Sequence, residues 1–173
     1  MQPKNTRHHH TVYARTLTFL FNGDDVLLIH RPPDAALFPD RYNGVGGHVE
    51  RGEDILSAAR REVHEETGLD VPELILHGVL HVDEGANRPG VIVFIFAGHV
   101  QERKLVSSSE GTLHWIPLDQ ISKLNLMPDL SALLAHVLAA QPREVRPFFA
   151  SSSIDSDKNN WQVHFSPIDP PSL

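Results

Sequence analysis

Three glutamates, Glu62, Glu65 and Glu66, stand at i, i+3 and i+4 within the segment Asp54 to Thr67. On a helix this spacing turns all three carboxylates to one face. Like charges so placed repel and weaken the helix unless something positive joins them. A hard divalent cation is one answer, because magnesium takes a few carboxylate oxygens and completes its shell with water and phosphate oxygens. A solvated acidic helix face is the other. Taken alone, the triplet reads more readily as the second.

The neighbouring residues reverse that preference. Upstream, Gly46-Gly47 permits close approach of the main chain to a ligand. Glu53 lies just before the helix and Arg61 inside it. A guanidinium beside several carboxylates ties loop to helix through a charge-assisted pair, most naturally with Glu53. At about 100° per residue, Leu56, Ala59 and Val63 form an apolar stripe roughly a quarter turn from the acids. The carboxylates therefore flank the packed face, and the segment reads as a strand–loop–helix metal cradle.

This stretch, GHVERGEDILSAARREVHEETGL from Gly47 to Leu69, resembles the Nudix signature G-x5-E-x7-R-E-U-x-E-E-x-G-U, with U a bulky aliphatic residue. Gly47, Glu53, Arg61-Glu62-Val63, Glu65-Glu66 and Gly68-Leu69 fill every specified position. The resemblance implies an α/β fold, the Nudix α/β/α sandwich with a mixed sheet. It also implies that Glu62, Glu65 and Glu66, helped by the Gly46 carbonyl, ligate one to three divalent cations. Magnesium is the expected cofactor, with manganese as a substitute. Glu53 would be a further ligand or the partner of Arg61. The implied reaction is hydrolysis of a phosphoanhydride bond by water attack on phosphorus, with a carboxylate accepting the proton. Glu62 is the first choice for that base. Glu110, in Ser107-Ser108-Ser109-Glu110, is its rival, since many relatives carry a working glutamate in this loop. An ordinary exposed loop acid is the plain alternative.

Outside the motif, VLLIHR, YNGVGGHVE, SSSEGTLHW and MPDLSALLAHVL resemble the branch acting on oxidised purine nucleoside triphosphates such as 8-oxo-dGTP. That resemblance implies Asn43 on the purine edge, Arg31 near the phosphates and Asp129 as a base-recognising carboxylate. An amide offers both donors and acceptors to a purine, although Asn-Gly is also a common turn pair. Asp129 is equally a good helix-start residue. Met127 and Leu130 depart from relatives that carry a tryptophan and a second aspartate there, which weakens the case for aromatic stacking and a two-carboxyl reading of the base. Phe38, Tyr42 and Trp115 are candidate stacking rings or ordinary packing. The alternatives are a Nudix hydrolase of ADP-ribose, sugar nucleotides, dinucleoside polyphosphates or capped RNA ends. A non-catalytic nucleotide-binding module is a different class, but such relatives usually lose motif glutamates.

Composition limits the rest. With 173 residues, 40% hydrophobic and 21% charged, the chain has the balance of a soluble globular domain. Its 22 acidic and 15 basic residues give a net charge of −7, which argues against long nucleic acid as a partner. A small nucleotide remains compatible, because a bound cation reverses the local field. No cysteine is present, so a thiolate site is excluded. No apolar run has membrane-spanning length, and the first residues lack a signal-peptide core. A cytoplasmic monomer or homodimer is expected.

Strand-like runs cover Thr11–Phe21, Val26–Ile29, Leu74–Val82, Val91–Val100 and Leu113–Leu118, with a turn at Asn22-Gly23-Asp24-Asp25. Helices are expected at Asp54–Thr67 and Asp129–Ala139. The expected organisation is a polar tail over 1–11 that includes His8, His9 and His10, a Nudix domain over 12–140, and an extension over 141–173. In that extension Val145–Phe149 and Trp161–Phe165 are candidate edge strands, and serines 151–153 read as loop.

Overall fold

The computed structural model describes residues 10–85, 88–106, 110–140, 145–154 and 161–167. His8, His9, serines 107–109 and the stretch 155–160 lie outside the described residues.

Strands β1 (Val12–Asn22) and β2 (Asp25–His30) form a hairpin with Asn22 opposite Asp25. Gly23, at φ +59°, supplies the left-handed residue this two-residue turn requires. The direct pairing of β1 with β2 runs only from Leu20↔Leu27 to Asn22↔Asp25. Beyond it the strands part, and the glycine-rich segment lies between them. The short strand β3 (Tyr42–Asn43) pairs with the end of β2, while Val45 and His48 bridge to Thr18 and Arg15 of β1. Thr18 N donates to Val45 O at 2.7 Å and Thr16 N to Gly47 O at 2.9 Å. The glycine-rich segment is thereby fixed inside the sheet.

Strand β5 (Gly90–His99) runs parallel to β1, β4 (Ile75–Asp83) antiparallel to β5, and β6 (Thr112–Pro117) antiparallel to β2. Strands β7 (Phe148–Ile154) and β8 (Trp161–Phe165) complete a mixed sheet of order β3-β2-β1-β5-β4-β7-β8, with β6 on β2. The expected strand Val145–Phe149 is displaced toward the C-terminus, and Ser151, Ser152 and Ser153 belong to it. Their weak strand preference is overridden because β7 pairs along the open edge of β4 from Gly78↔Phe148 to Asp83↔Ser153.

Alternation along β1 sets the layers. Leu17, Phe19 and Phe21 pack with Leu133, Leu134 and Val137 of α2 (Leu130–Ala139). Leu20 joins Leu27, Val45, Ala59 and Val63 on the opposite face, where α1 (Ile55–Thr67) lies. Each fully buried Leu or Phe contributes about 1.5–3 kcal/mol from removal of apolar surface from water. The result is the α/β/α sandwich that the signature implies. Ala58 is buried beside Ala59 and Val63, whereas Leu56 is only half-buried, so the apolar stripe of α1 is rotated slightly from its expected line. Among the described residues no helix is long and apolar enough to cross a membrane.

Candidate active site

Helix α1 is bounded by strong local signals. Asp54 Oδ1 accepts from Leu56 N at 2.9 Å and from Ser57 N at 3.0 Å, closing the N-terminal turn. Gly68 ends the helix at φ 76° and donates its N–H to His64 O. Between these stops the acidic face lies against the glycine segment. A Cβ on Gly47 would sit 2.4 Å from Glu62 Oε1, so glycine here leaves room for the Glu62 carboxylate against the loop.

Arg61 organises one side of the acidic cluster. Its Nε donates to Glu53 Oε2 at 3.1 Å and its Nη2 to Glu53 Oε1 at 2.9 Å. Nη1 reaches Glu62 Oε1 at 3.1 Å and Glu65 Oε2 at 2.9 Å, and Nη2 also donates to His48 O at 2.9 Å. The guanidinium and the Glu50 N–H hold the Glu53 carboxyl below the ordinary range.

Glu66 lies deeper, at 6% exposure, and its Oε2 accepts from Gly46 N at 3.0 Å. Burial, then the nearby charge of Glu110, push its carboxyl up to about 8, against the pull of the Gly46 N–H. Glu110 also hydrogen-bonds Glu66. Burial raises the Glu62 carboxyl too; Arg61 opposes that shift, while Glu65 and Glu110 add to it. Glu65 is the outlying member, its side chain 57% exposed and drawn to Arg61.

The cluster therefore divides. Glu62, Glu66 and Glu110 crowd one another, Glu53 and Glu65 belong to Arg61, and Glu62, ion-paired to Arg61 as well, stands in both groups. Among the described residues, no three acidic or histidine side chains are gathered as a ready ion cage; Arg61 and the Gly46 N–H each hold carboxylate oxygens. In chemistry the crowded set fits a hard divalent cation. Its donors are all oxygen, and burial, with the Glu110 charge beside it, keeps the Glu66 carboxyl protonated well above its usual range.

A cleft of about 200 Å³ opens beside this cluster, and Gly46 lies on its wall. Arg31, Asn43 and Asp129 all line it, although they come from the end of β2, from β3 and from the start of α2. Burial raises the Asp129 carboxyl above its ordinary range. Asp129 stands at the N-cap position of α2, where a helix-start residue is expected, but its side chain caps no N–H of the helix. Of the candidate rings, Phe38 lines the cleft. Tyr42 is instead stacked on His30 at 4.3 Å, and Trp115 lies under Arg103, 5.1 Å from its guanidinium carbon.

Several lining residues were not singled out from sequence, Arg15, Glu84 and Trp161 among them. Arg15 projects from β1 into the cleft; the signal was a charged residue inside the otherwise strand-forming run VYARTLTFLF. Trp161 arrives from β8, and nothing local in the sequence joins it to residues more than a hundred positions earlier.

The NUDIX domain family matches residues 12–137, and the chain belongs to that family. Its members are hydrolases that generally use divalent metal ions. Among curated proteins, the chain is similar to the oxidized purine nucleoside triphosphate hydrolase of Mus musculus, 40% identical over 91 residues, or 51% of this chain and 57% of that protein. It is also similar to the protein of the same description from Danio rerio, 36% identical over 81 residues, 47% of this chain and 52% of that one. The chain thus spans little more than half the length of these curated relatives. Among solved structures, a MutT protein from Bacillus halodurans superposes with a TM-score of 0.72 at 25% identity, covering 87% of this chain and 97% of the other.

Proposed function

We propose that this chain hydrolyses a phosphoanhydride bond in a purine nucleoside triphosphate, with oxidised purines such as 8-oxo-dGTP as preferred substrates. One observation carries the reading. Gly46 both lines the cleft that holds Arg31, Asn43 and Asp129 and hydrogen-bonds Glu66 of the acidic cluster. A nucleotide with its base in the cleft therefore presents its phosphates to the carboxylates.

Glu66, Glu62 and Glu110, with the Gly46 carbonyl, would hold magnesium, and Glu65 would join them on release from Arg61. When bound, a divalent cation neutralises phosphate oxygens and lowers the pKa of water. Arg31 and Arg15 supply the fixed positive charges at the cleft and pair with phosphate oxygens. Glu62 accepts the proton of the water that attacks phosphorus; its burial makes it a stronger base than an exposed carboxylate. Arg61 is a positioning residue that fixes Glu53 and the loop below the helix. The Asn43 amide presents donor and acceptor to the purine edge. Asp129 donates when protonated and accepts when ionised, so its raised pKa bears directly on which purine tautomer fits.

The test is a panel of oxidised and ordinary nucleoside triphosphates, ADP-ribose, dinucleoside polyphosphates and sugar nucleotides, incubated with protein and magnesium and resolved by product. A nucleoside monophosphate and pyrophosphate from the oxidised purines at the highest kcat/KM is the expected result. Preference for another member of the panel refutes the substrate assignment and leaves the reaction class standing.

A further inference from the structure

Strands β7 and β8 lie beyond the stretch matched by the family, residues 12–137, yet β8 places Trp161 on the wall of the nucleotide cleft. We infer that Trp161 is a base-stacking, specificity-determining residue, which makes the β7–β8 hairpin a working part of the substrate site. This rests on the purine nucleotide reading above.

The hairpin is anchored so that Trp161 is aimed with some precision. Trp161, Val163 and Phe165 alternate with exposed Gln162 and His164, and therefore share one face of β8. All three pack against the core beneath α2. At the far end, Phe165 stacks on His136 of α2 with ring centroids 3.5 Å apart and meets Phe148 at 5.4 Å. At the near end, the pairing of Ile154 with Trp161 closes the register of β7 with β8.

The ring beside it is held in place as well. Trp161 meets Phe38 at 5.7 Å with the rings 68° apart. Phe38 and Asp40 both adopt left-handed backbone conformations, at φ 50° and 55°, which side chains of this size rarely take. Such conformations persist when the surroundings over-determine them. Here Asp40 is tied to His30 Nε2 at 2.8 Å and to Asn125 Nδ2 at 2.8 Å, and Arg41 Nη1 donates to Leu126 O at 2.7 Å.

Two rings meeting near a right angle form an aromatic corner beside Asn43 and Asp129. A flat purine can lie face-on to one ring and edge-on to the other, while the polar pair reads its edge. Met127, which lines the cleft just ahead of α2, carries no ring, so Trp161 provides the broadest π surface in the cleft. Base–aromatic stacking of this kind changes affinity by roughly five- to a hundredfold.

The experiment compares Trp161→Ala, Trp161→Leu and Trp161→Phe with the wild-type chain in magnesium, on purine and pyrimidine triphosphates. Alanine and leucine should raise KM for the purine substrate about tenfold with kcat little changed, phenylalanine should restore most of the loss, and pyrimidines should be affected less. Tryptophan emission should be quenched by purine nucleotide in the wild type and lose that response in Trp161→Phe, which retains Trp115. If leucine leaves purine KM at the wild-type value, the inference is wrong and the nucleotide reading survives. Should the variants unfold, the wild type decides: purine nucleotide must shield its tryptophan emission from acrylamide quenching relative to pyrimidine, and equal quenching overturns the inference. A wild-type chain that turns over no purine triphosphate removes the reading and the inference together.

Discussion

Arg61 grips Glu53 with two nitrogens, Nε on one carboxylate oxygen at 3.1 Å and Nη2 on the other at 2.9 Å. The two residues lie on opposite sides of the start of α1, so this fork clamps the loop after Gly47 onto the helix. A lysine ammonium carries the same charge but cannot make the planar two-point contact. Arg61→Lys should therefore keep the fold and reduce kcat about a hundredfold, the cost of misplacing catalytic groups by an ångström or so. Steady-state kinetics beside a circular dichroism spectrum checks this, and a kcat within twofold of wild type would remove Arg61 from the positioning role.

Glu66 gives a pH dependence with a defined sign. Its carboxyl is raised from 4.5 to about 8 in the folded, metal-free protein. Between those values the folded state holds a proton that the unfolded chain has released. The group therefore favours folding below pH 4.5, and that contribution is lost as pH rises toward 8. The unfolding temperature of metal-free protein should fall across this window, and added magnesium should flatten the fall. Thermal scans at several pH values, with and without magnesium, would expose a metal-independent slope and so contradict the assignment.

Glu66→Gln should separate stability from activity. The amide keeps an acceptor for Gly46 N and cannot ionise against Glu110 and Glu62. At pH 8 the metal-free variant should unfold at a higher temperature than wild type, while turnover falls by orders of magnitude. A variant that loses both, or keeps its turnover, would show that the buried carboxyl serves packing alone.

Gly47→Ala tests the close approach of loop and helix. The new methyl would lie 2.4 Å from Glu62 Oε1, so the Glu62 carboxylate must move from its place. Moving the end of one side chain costs little stability, so kcat should fall further than stability alone explains. Denaturant unfolding and kinetics on one preparation compare the two effects. Unchanged turnover would place Glu62 outside the reacting groups.

Asn43→Ala and Asp129→Asn address base selection. Each should raise KM for the preferred purine about tenfold, the cost of one lost hydrogen bond of moderate strength, while leaving kcat nearly constant. Competition between an oxidised purine triphosphate and its ordinary counterpart provides the readout. If their kcat/KM ratio is the same in both variants and wild type, neither side chain reads the base.

Much of the molecule was legible in the chain because the determining interactions are local. The spacing of Glu62, Glu65 and Glu66 lies within one helix, where sequence separation and spatial position are linked by the helical repeat. The Asn22 to Asp25 hairpin is read from its turn residues in the same way. Even the pairing of Arg61 with Glu53 follows from a short reach across a helix start.

What the helix repeat cannot supply is the far side of each contact. Equivalent spacing did not make the three glutamates equivalent: Glu66 is buried against Gly46 and Glu110, and Glu65 turns outward to Arg61. That difference arises from what the sheet places above the helix. The serines of β7 form a strand because β4 offers an open edge, and Trp161 meets Phe38 because that edge carries β8 to the cleft. The sequence by itself determined the motif, its helix and the hydrolytic chemistry those residues suit, since each rests on neighbours along the chain. The tertiary structure alone decided which carboxylates are desolvated and which rings wall the cleft. Burial and encounter between distant segments depend on packing of the whole sheet, which no local spacing encodes.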